Sequence, residues 1–254
     1  MKKIILMLAY ILFCVLPARA GFTNYTYVAN TGVGSVSSIT SPALTMSGGD
    51  FVLVMCASTA ATTGDPASST PSNTFNTLTF QADSGDYQVQ LSYATNMASG
   101  STTFTCTPNV SSAFQSMIVL HYAPSTVTMT SPVDVQSGGY NNGTVSTFTV
   151  PPSGSITTTN AKDTIILCGG GTITAGAFTA GSIGGTGATL RGVDGATLGT
   201  SSKFGCEDLA VTTTQSMITG SISNANTGNW TGTIAAFKAP SALMAGCDMS
   251  NTCN

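Results

Sequence analysis

The chain has 254 residues, 42% hydrophobic and only 7% charged, with seven basic and ten acidic side chains. Val, Ile, Phe and Leu runs recur throughout, which excludes an intrinsically disordered protein. So few cations also exclude the basic footprint of a nucleic-acid binder or of a protein held on an anionic membrane.

The first element is an export signal. Lys2 and Lys3 precede an apolar run from Ile4 to Leu16, Pro17 ends it, and Ala18-Arg19-Ala20 supplies small residues at −3 and −1 of a cleavage site. This predicts a signal peptide over residues 1–20, cut between Ala20 and Gly21. The run is shorter than the ~20 residues a spanning helix needs, and no later stretch is apolar enough to span. Cys14 lies inside the run without the small residue expected before a lipidated cysteine. Lys162, Arg191, Lys203 and Lys238 then face all ten acids, a formal charge of −6 for residues 21–254. The expected location is secreted, periplasmic or cell-surface. Six cysteines remain (Cys56, Cys106, Cys168, Cys206, Cys247 and Cys253), an even number that reads as disulfides in an oxidising compartment. Zinc fits poorly, since there is no CxxC pair and His121 is the only histidine.

Short β-prone runs follow in order: Tyr25–Val28, Phe51–Met55, Leu78–Phe80, Val89–Tyr93, Thr102–Thr105, Ser116–Tyr122, Thr147–Val150, Thr164–Leu167 and Gly232–Lys238. Turn signals stand between them at Ser47-Gly48-Gly49-Asp50, Ser84-Gly85-Asp86, Ser137-Gly138-Gly139 and Asn141-Asn142-Gly143. β-Branched residues fit half-buried pleated surfaces, and Gly and Asn accept the positive φ of tight turns. Many short strands with no capped helical period predict an all-β sandwich or barrel.

The chain also carries a weak internal repeat. FQSMIVLHYAP (Phe114–Pro124) aligns without a gap on WTGTIAAFKAP (Trp230–Pro240), and Asp50-FVLVM-Cys56 resembles Asp163-TIIL-Cys168 with one residue of slack. The pseudo-repeats cover about 22–124 and 132–240, and the tail 241–254 follows. Two sandwiches in tandem and two interleaved halves of one sandwich both fit. The short join from Ser125 to Ser131 favours a single domain over 21–240 whose halves share one core.

Gly49-Asp50 with Phe51–Met55, Leu91-Ser92-Tyr93, Met117–Tyr122 and the link Ser131-Pro132-Val133-Asp134 resemble the two-part β-sandwich module of secreted bacterial surface proteins and some phage virion proteins. Glu207-Asp208 before Leu209-Ala210-Val211 fits its second half. The resemblance implies a jelly-roll-like sandwich and carries over no functional residues. The extra cysteines and the tail after Pro240 depart from the pattern.

Candidate chemistry is sparse. His121 lies in an apolar run and aligns with Phe237, so it reads as a packed or satisfied core residue rather than a general base. The single glutamate, Glu207, and nine aspartates offer no marked carboxylate pair for a hydrolase. Asp83 and Asp86 could hold Ca²⁺ through oxygen ligands, but the spacing is not that of an EF-hand, and a hairpin turn is favoured. Gly169-Gly170-Gly171 and Gly184-Gly185-Thr186-Gly187 lack a following Gly-Lys-Ser/Thr and read as flexible loops rather than phosphate cradles. Trp230 could stack on a glycan if exposed, while its alignment with Phe114 favours packing. Cys247 and Cys253, with five residues between them in GCDMSNTC, are expected to pair. The repeat favours bonds within each half, Cys56–Cys106 and Cys168–Cys206. The leading functional expectation is a non-enzymatic surface or structural protein acting in adhesion or self-assembly, on a glycan, a protein or its own copies. A carbohydrate-binding module and a hydrolase are the alternatives.

Overall fold

The computed structural model describes residues 22–30, 37–59, 67–82, 87–109, 114–124, 126–173, 176–193 and 203–240. The export signal, Asp83, Asp86 and the Cys247–Cys253 loop lie outside the described residues. All regular elements described are strands, and no helix among them is long and apolar enough to cross a membrane.

The first half contributes β1 (Phe22–Asn30), β2 (Ile39–Thr40), β3 (Leu44–Met46), β4 (Phe51–Thr59), β5 (Ala67–Thr70), β6 (Asn76–Thr77), β7 (Gln81–Ala82), β8 (Tyr87–Ala94), β9 (Gly100–Cys106) and β10 (Gln115–Tyr122). The second contributes β11 (Val133–Val150), β12 (Asp163–Gly171), β13 (Phe178–Ile183), β14 (Thr186–Gly187), β15 (Thr189–Val193), β16 (Lys203–Val211) and β17 (Gly220–Lys238). One sheet runs β1-β10-β4-β8-β6, with β7 also on β8. A second, smaller sheet runs β2-β9-β3 with β5 on β9. The third runs β14-β13-β17-β12-β16-β15, with β11 along the other side of β17.

Side-chain pattern fixes the layers. FVLVMCAST in β4, QSMIVLHY in β10 and DTIILCGGG in β12 are almost continuously buried, as strands covered on both faces must be. GSTTFTC in β9 instead alternates, burying Thr102, Phe104 and Cys106 and wetting the residues between, so its sheet is an outer layer. Three cores result. Val52, Val54, Cys56, Met117 and Val119 pack against Phe104 and Cys106 of the small sheet. Phe51, Leu53, Met55, Leu91, Ile118 and Leu120 turn the other way and meet Ile166, Phe204, Ala235 and Phe237 of the second half. Ile165, Leu167, Ile234 and Trp230 form the third with Phe148, Ile222 and Ile183, where the long β11 and β17 carry the third sheet over its own outer face.

Every strand pairing described lies within one half, so the halves stack face to face and do not interleave strands. Within each half most paired strands are distant in sequence, as with β1 and β10, β10 and β4, or β12 and β17. The order β1-β10-β4-β8 is nevertheless matched by β11-β17-β12-β16. Registers match as well. Cys56 stands between Met117 and Gln90, and Cys168 between Thr233 and Cys206. These two cysteines nevertheless point into different layers, Cys56 into the outer core and Cys168 into the central one. Because the registers match, the two sheets turn opposite faces to the central core: Ile118 and Leu120 face it, whereas their counterparts Ile234 and Ala236 face the third core.

That difference shapes the two disulfides. Cys56–Cys106 joins the first sheet to the small sheet across the outer core, with Cα atoms 5.7 Å apart. Cys168–Cys206 joins neighbouring strands within the third sheet, with Cα atoms 4.1 Å apart. The bonds close spans of 50 and 38 residues, so chain entropy gives each about 4 kcal/mol. Replacing Cys56 and Cys106 together by serine should lower the denaturant-unfolding free energy by about that amount, while a loss near zero would show that the small sheet adds nothing to the cooperative unit.

Several sequence expectations are corrected. Leu78–Phe80 is irregular rather than a strand; its buried Leu78 donates its amide to Leu91 O at 2.8 Å and plugs the central core. Ser137-Gly138-Gly139 and Asn141-Asn142-Gly143 lie inside β11 instead of forming turns. The glycines there allow close approach, since a Cβ on Gly138 would come 2.5 Å from the Gln81 side chain and one on Gly139 2.5 Å from Pro152. The Asn-Asn-Gly stretch forms a register shift between Asn141 and Val145. Gly169-Gly170-Gly171 is the buried end of β12, not a flexible loop. Side chains there would meet carbonyl oxygens, with a Cβ on Gly170 2.0 Å from Lys203 O and one on Gly171 2.0 Å from Asn229 O. Gly184-Gly185 forms the two-residue hairpin between β13 and β14, with φ of 59° and 79°.

Candidate functional site

One polar cluster spans the junction of the halves. Tyr122, near the end of β10, donates its hydroxyl to Asp208 Oδ2 at 3.0 Å, and Arg191 of β15 donates Nε to Asp208 Oδ1 at 2.8 Å. Alternation along β16 turns Asp208 toward the first half and Glu207 to the opposite face of the sheet. Tyr122 and Asp208 are buried, and only Arg191 reaches solvent in part. Burial pushes the Tyr122 phenol well up, and the Asp208 carboxylate adds to this. Burial also raises the Asp208 carboxyl, against the pull of Arg191 and the Tyr122 hydrogen bond. The cluster is a charged tether in an apolar junction.

Glu207 is fully buried beside β13. Oε2 accepts the Gly181 amide at 2.8 Å, and Oε1 has no hydrogen-bond partner among the described residues. Burial raises its carboxyl to about 7, with the Asp208 charge adding and the Gly181 amide opposing. Adjacent Glu207 and Asp208 face opposite ways, so they are not a carboxylate pair that could flank a scissile bond.

His121 is buried, with Nε2 2.5 Å from Asp50 Oδ2. Asp50 also accepts the Ser47 amide at 2.5 Å, which fixes the Gly48-Gly49 turn before β4. The pair is buried and pins the start of β4 to the end of β10. At the link between the halves, Asp134 accepts the amides of Thr159 at 2.6 Å and Asn160 at 3.1 Å, and the Thr159 hydroxyl as well. Burial opposes ionisation of Asp134, but these hydrogen bonds outweigh it and hold the carboxyl below its usual value. Asp163, buried at the head of β12, is raised to about 6 by burial, with Asn160 opposing and Asp134 reinforcing. Asp163 Oδ1 accepts the Asn160 side-chain amide at 3.1 Å. Together these hydrogen bonds secure the 158–163 loop onto β11.

Trp230 is corrected as a glycan contact. It is 0% exposed, stacked on Phe148 with centroids 5.8 Å apart and edge-on to Phe178, and its indole N–H donates to Val145 O at 2.8 Å. Large apolar side chains that are exposed among the described residues are Tyr140 and Met217, single rather than in a row. No group of three His, Cys, Asp or Glu side chains gathers among the described residues. Sequence reading missed Arg191, Asp208 and the Asp50 partner of His121. Their separations of 17, 86 and 71 residues leave no local signal.

Comparison with family models, with curated proteins and with solved structures finds no match to this chain.

Proposed function

We propose that the protein is an exported, non-enzymatic surface or structural protein that works by assembly or adhesion. The supporting observation is how acidic side chains among the described residues are held. Asp50 is held by His121, Asp208 by Tyr122 and Arg191, and Asp134 by Thr159 and Asn160, while Glu207 is sealed in the third sheet. A general acid or base must reach its substrate, and these groups are committed to joining strands. The two disulfides favour an oxidising compartment. Glycan binding through Trp230 loses its basis because the ring is buried.

Static light scattering of residues 21–254 over a wide concentration range tests the assembly reading. Species of two or more copies that grow with concentration are expected. A strict monomer throughout would overturn assembly.

A further inference from the structure

We infer that β1 is an exchangeable strand, which leaves its own sheet and completes the same sheet in a second copy of the chain. This deepens the assembly reading by naming its contact.

The argument begins with the slot. All eight residues of β10 are buried, and β10 lies between β4 on one side and β1 on the other. If β1 leaves, β10 presents the unpaired backbone edge of the strand that feeds both the outer and the central core. Such an edge recruits another strand. The occupant that fits is already known, because β1 fills the slot within the chain in continuous antiparallel register from Asn24–His121 to Asn30–Gln115. An exchanged strand would make the same pairs, so exchange needs no new complementary surface.

The second part is the tether. Among the described residues β1 pairs only with β10. Cleavage after Ala20 would leave it as the first element of the exported chain, followed in sequence by Thr31-Gly32-Val33-Gly34-Ser35-Val36. Its counterpart β11 is held at both ends, entering where Lys238 donates its amide to Pro132 O at 2.7 Å and leaving into Pro151. With that cleavage β1 is an edge strand held at one end, whereas β11 is held at two. FTNYTYVAN also contains no charge and no proline, the residues that usually guard a strand against intermolecular pairing. Each chain both donates a β1 and offers a slot, so exchange gives closed dimers or open chains.

The test uses register partners. Ala29 lies opposite Ser116, and Val28 opposite Met117. Adjacent antiparallel pairs alternate between close and wide spacing, so one of the two pairs suits a disulfide. Differently tagged chains carrying Ala29→Cys and Ser116→Cys, or Val28→Cys and Met117→Cys, are co-expressed with export and mapped under non-reducing conditions. A covalent species of twice the mass, linked 29–116 or 28–117 between the two tags and lost on reduction, is expected. If the doubly substituted single chains form the link internally while co-expressed chains never form it, exchange is overturned. A failure of both pairs to link in either setting removes the β1–β10 slot and the proposal with it. Oligomers by light scattering without the interchain link leave the assembly reading standing and overturn this inference alone.

Discussion

Replacing Glu207 by glutamine should stabilise the protein by about 3 kcal/mol at pH 8 and leave it nearly unchanged at pH 4. The folded carboxyl is raised from 4.5 to about 7, and each pKa unit corresponds to about 1.4 kcal/mol. Below the unfolded value both states hold the proton, so stability does not depend on this group. Between about 4.5 and 7 the unfolded chain releases its proton while the folded chain keeps it, so stability falls as pH rises. Above 7 the folded protein must carry a buried carboxylate whose Oε1 has no hydrogen-bond partner among the described residues. Glutamine keeps an acceptor for the Gly181 amide and removes the titration. Asp163 and Asp208, also raised, weaken the fold in the same direction, while Asp134 acts oppositely. The informative quantity is therefore the difference between wild type and Glu207→Gln, from denaturant unfolding at each pH. An equal difference at pH 4 and pH 8 would show that Glu207 does not titrate in the folded protein.

Phe237→Ala should cost about 3–5 kcal/mol, the range for truncating a buried aromatic. Phe237 is fully buried, with its ring 5.0 Å from Phe51 and 5.7 Å from Tyr93, both in the other half. The substitution removes second-half atoms from a core built largely of first-half strands, so the near-ultraviolet signals of tyrosines in the first half should melt together with the Trp230 fluorescence of the second. A loss below 1 kcal/mol, or two melting midpoints, would mean that the central layer is a loose contact.

How much of this was legible follows from the range of each signal. Apolar runs marked β4, β10 and β12 as strands, but burial on both faces was read only for the run around His121 in β10. The all-β class followed from the same runs and their turns. The layering was not legible, since Cys56 and Cys168 hold equivalent registers yet face different cores, which is set by how the sheets stack and not by either strand's own residues. Glycine was misread wherever it serves close approach instead of turning, as at Gly138 in β11 and Gly170 in β12. Asp50–His121 and Tyr122–Asp208 join residues far apart in the chain, and neither partner shows in the neighbourhood of the other. Of Glu207, sequence gave only its singularity; its burial comes from the third sheet curling over its own face.

The central claim is that the two halves, although they pair no strands between them, are joined by one core into a single cooperative unit. Differential scanning calorimetry of residues 21–254 with disulfides intact tests it most directly. The shared core predicts one endotherm, with calorimetric and van't Hoff enthalpies in agreement. Two resolved endotherms, or a calorimetric enthalpy near twice the van't Hoff value, would contradict it and make the halves independent domains.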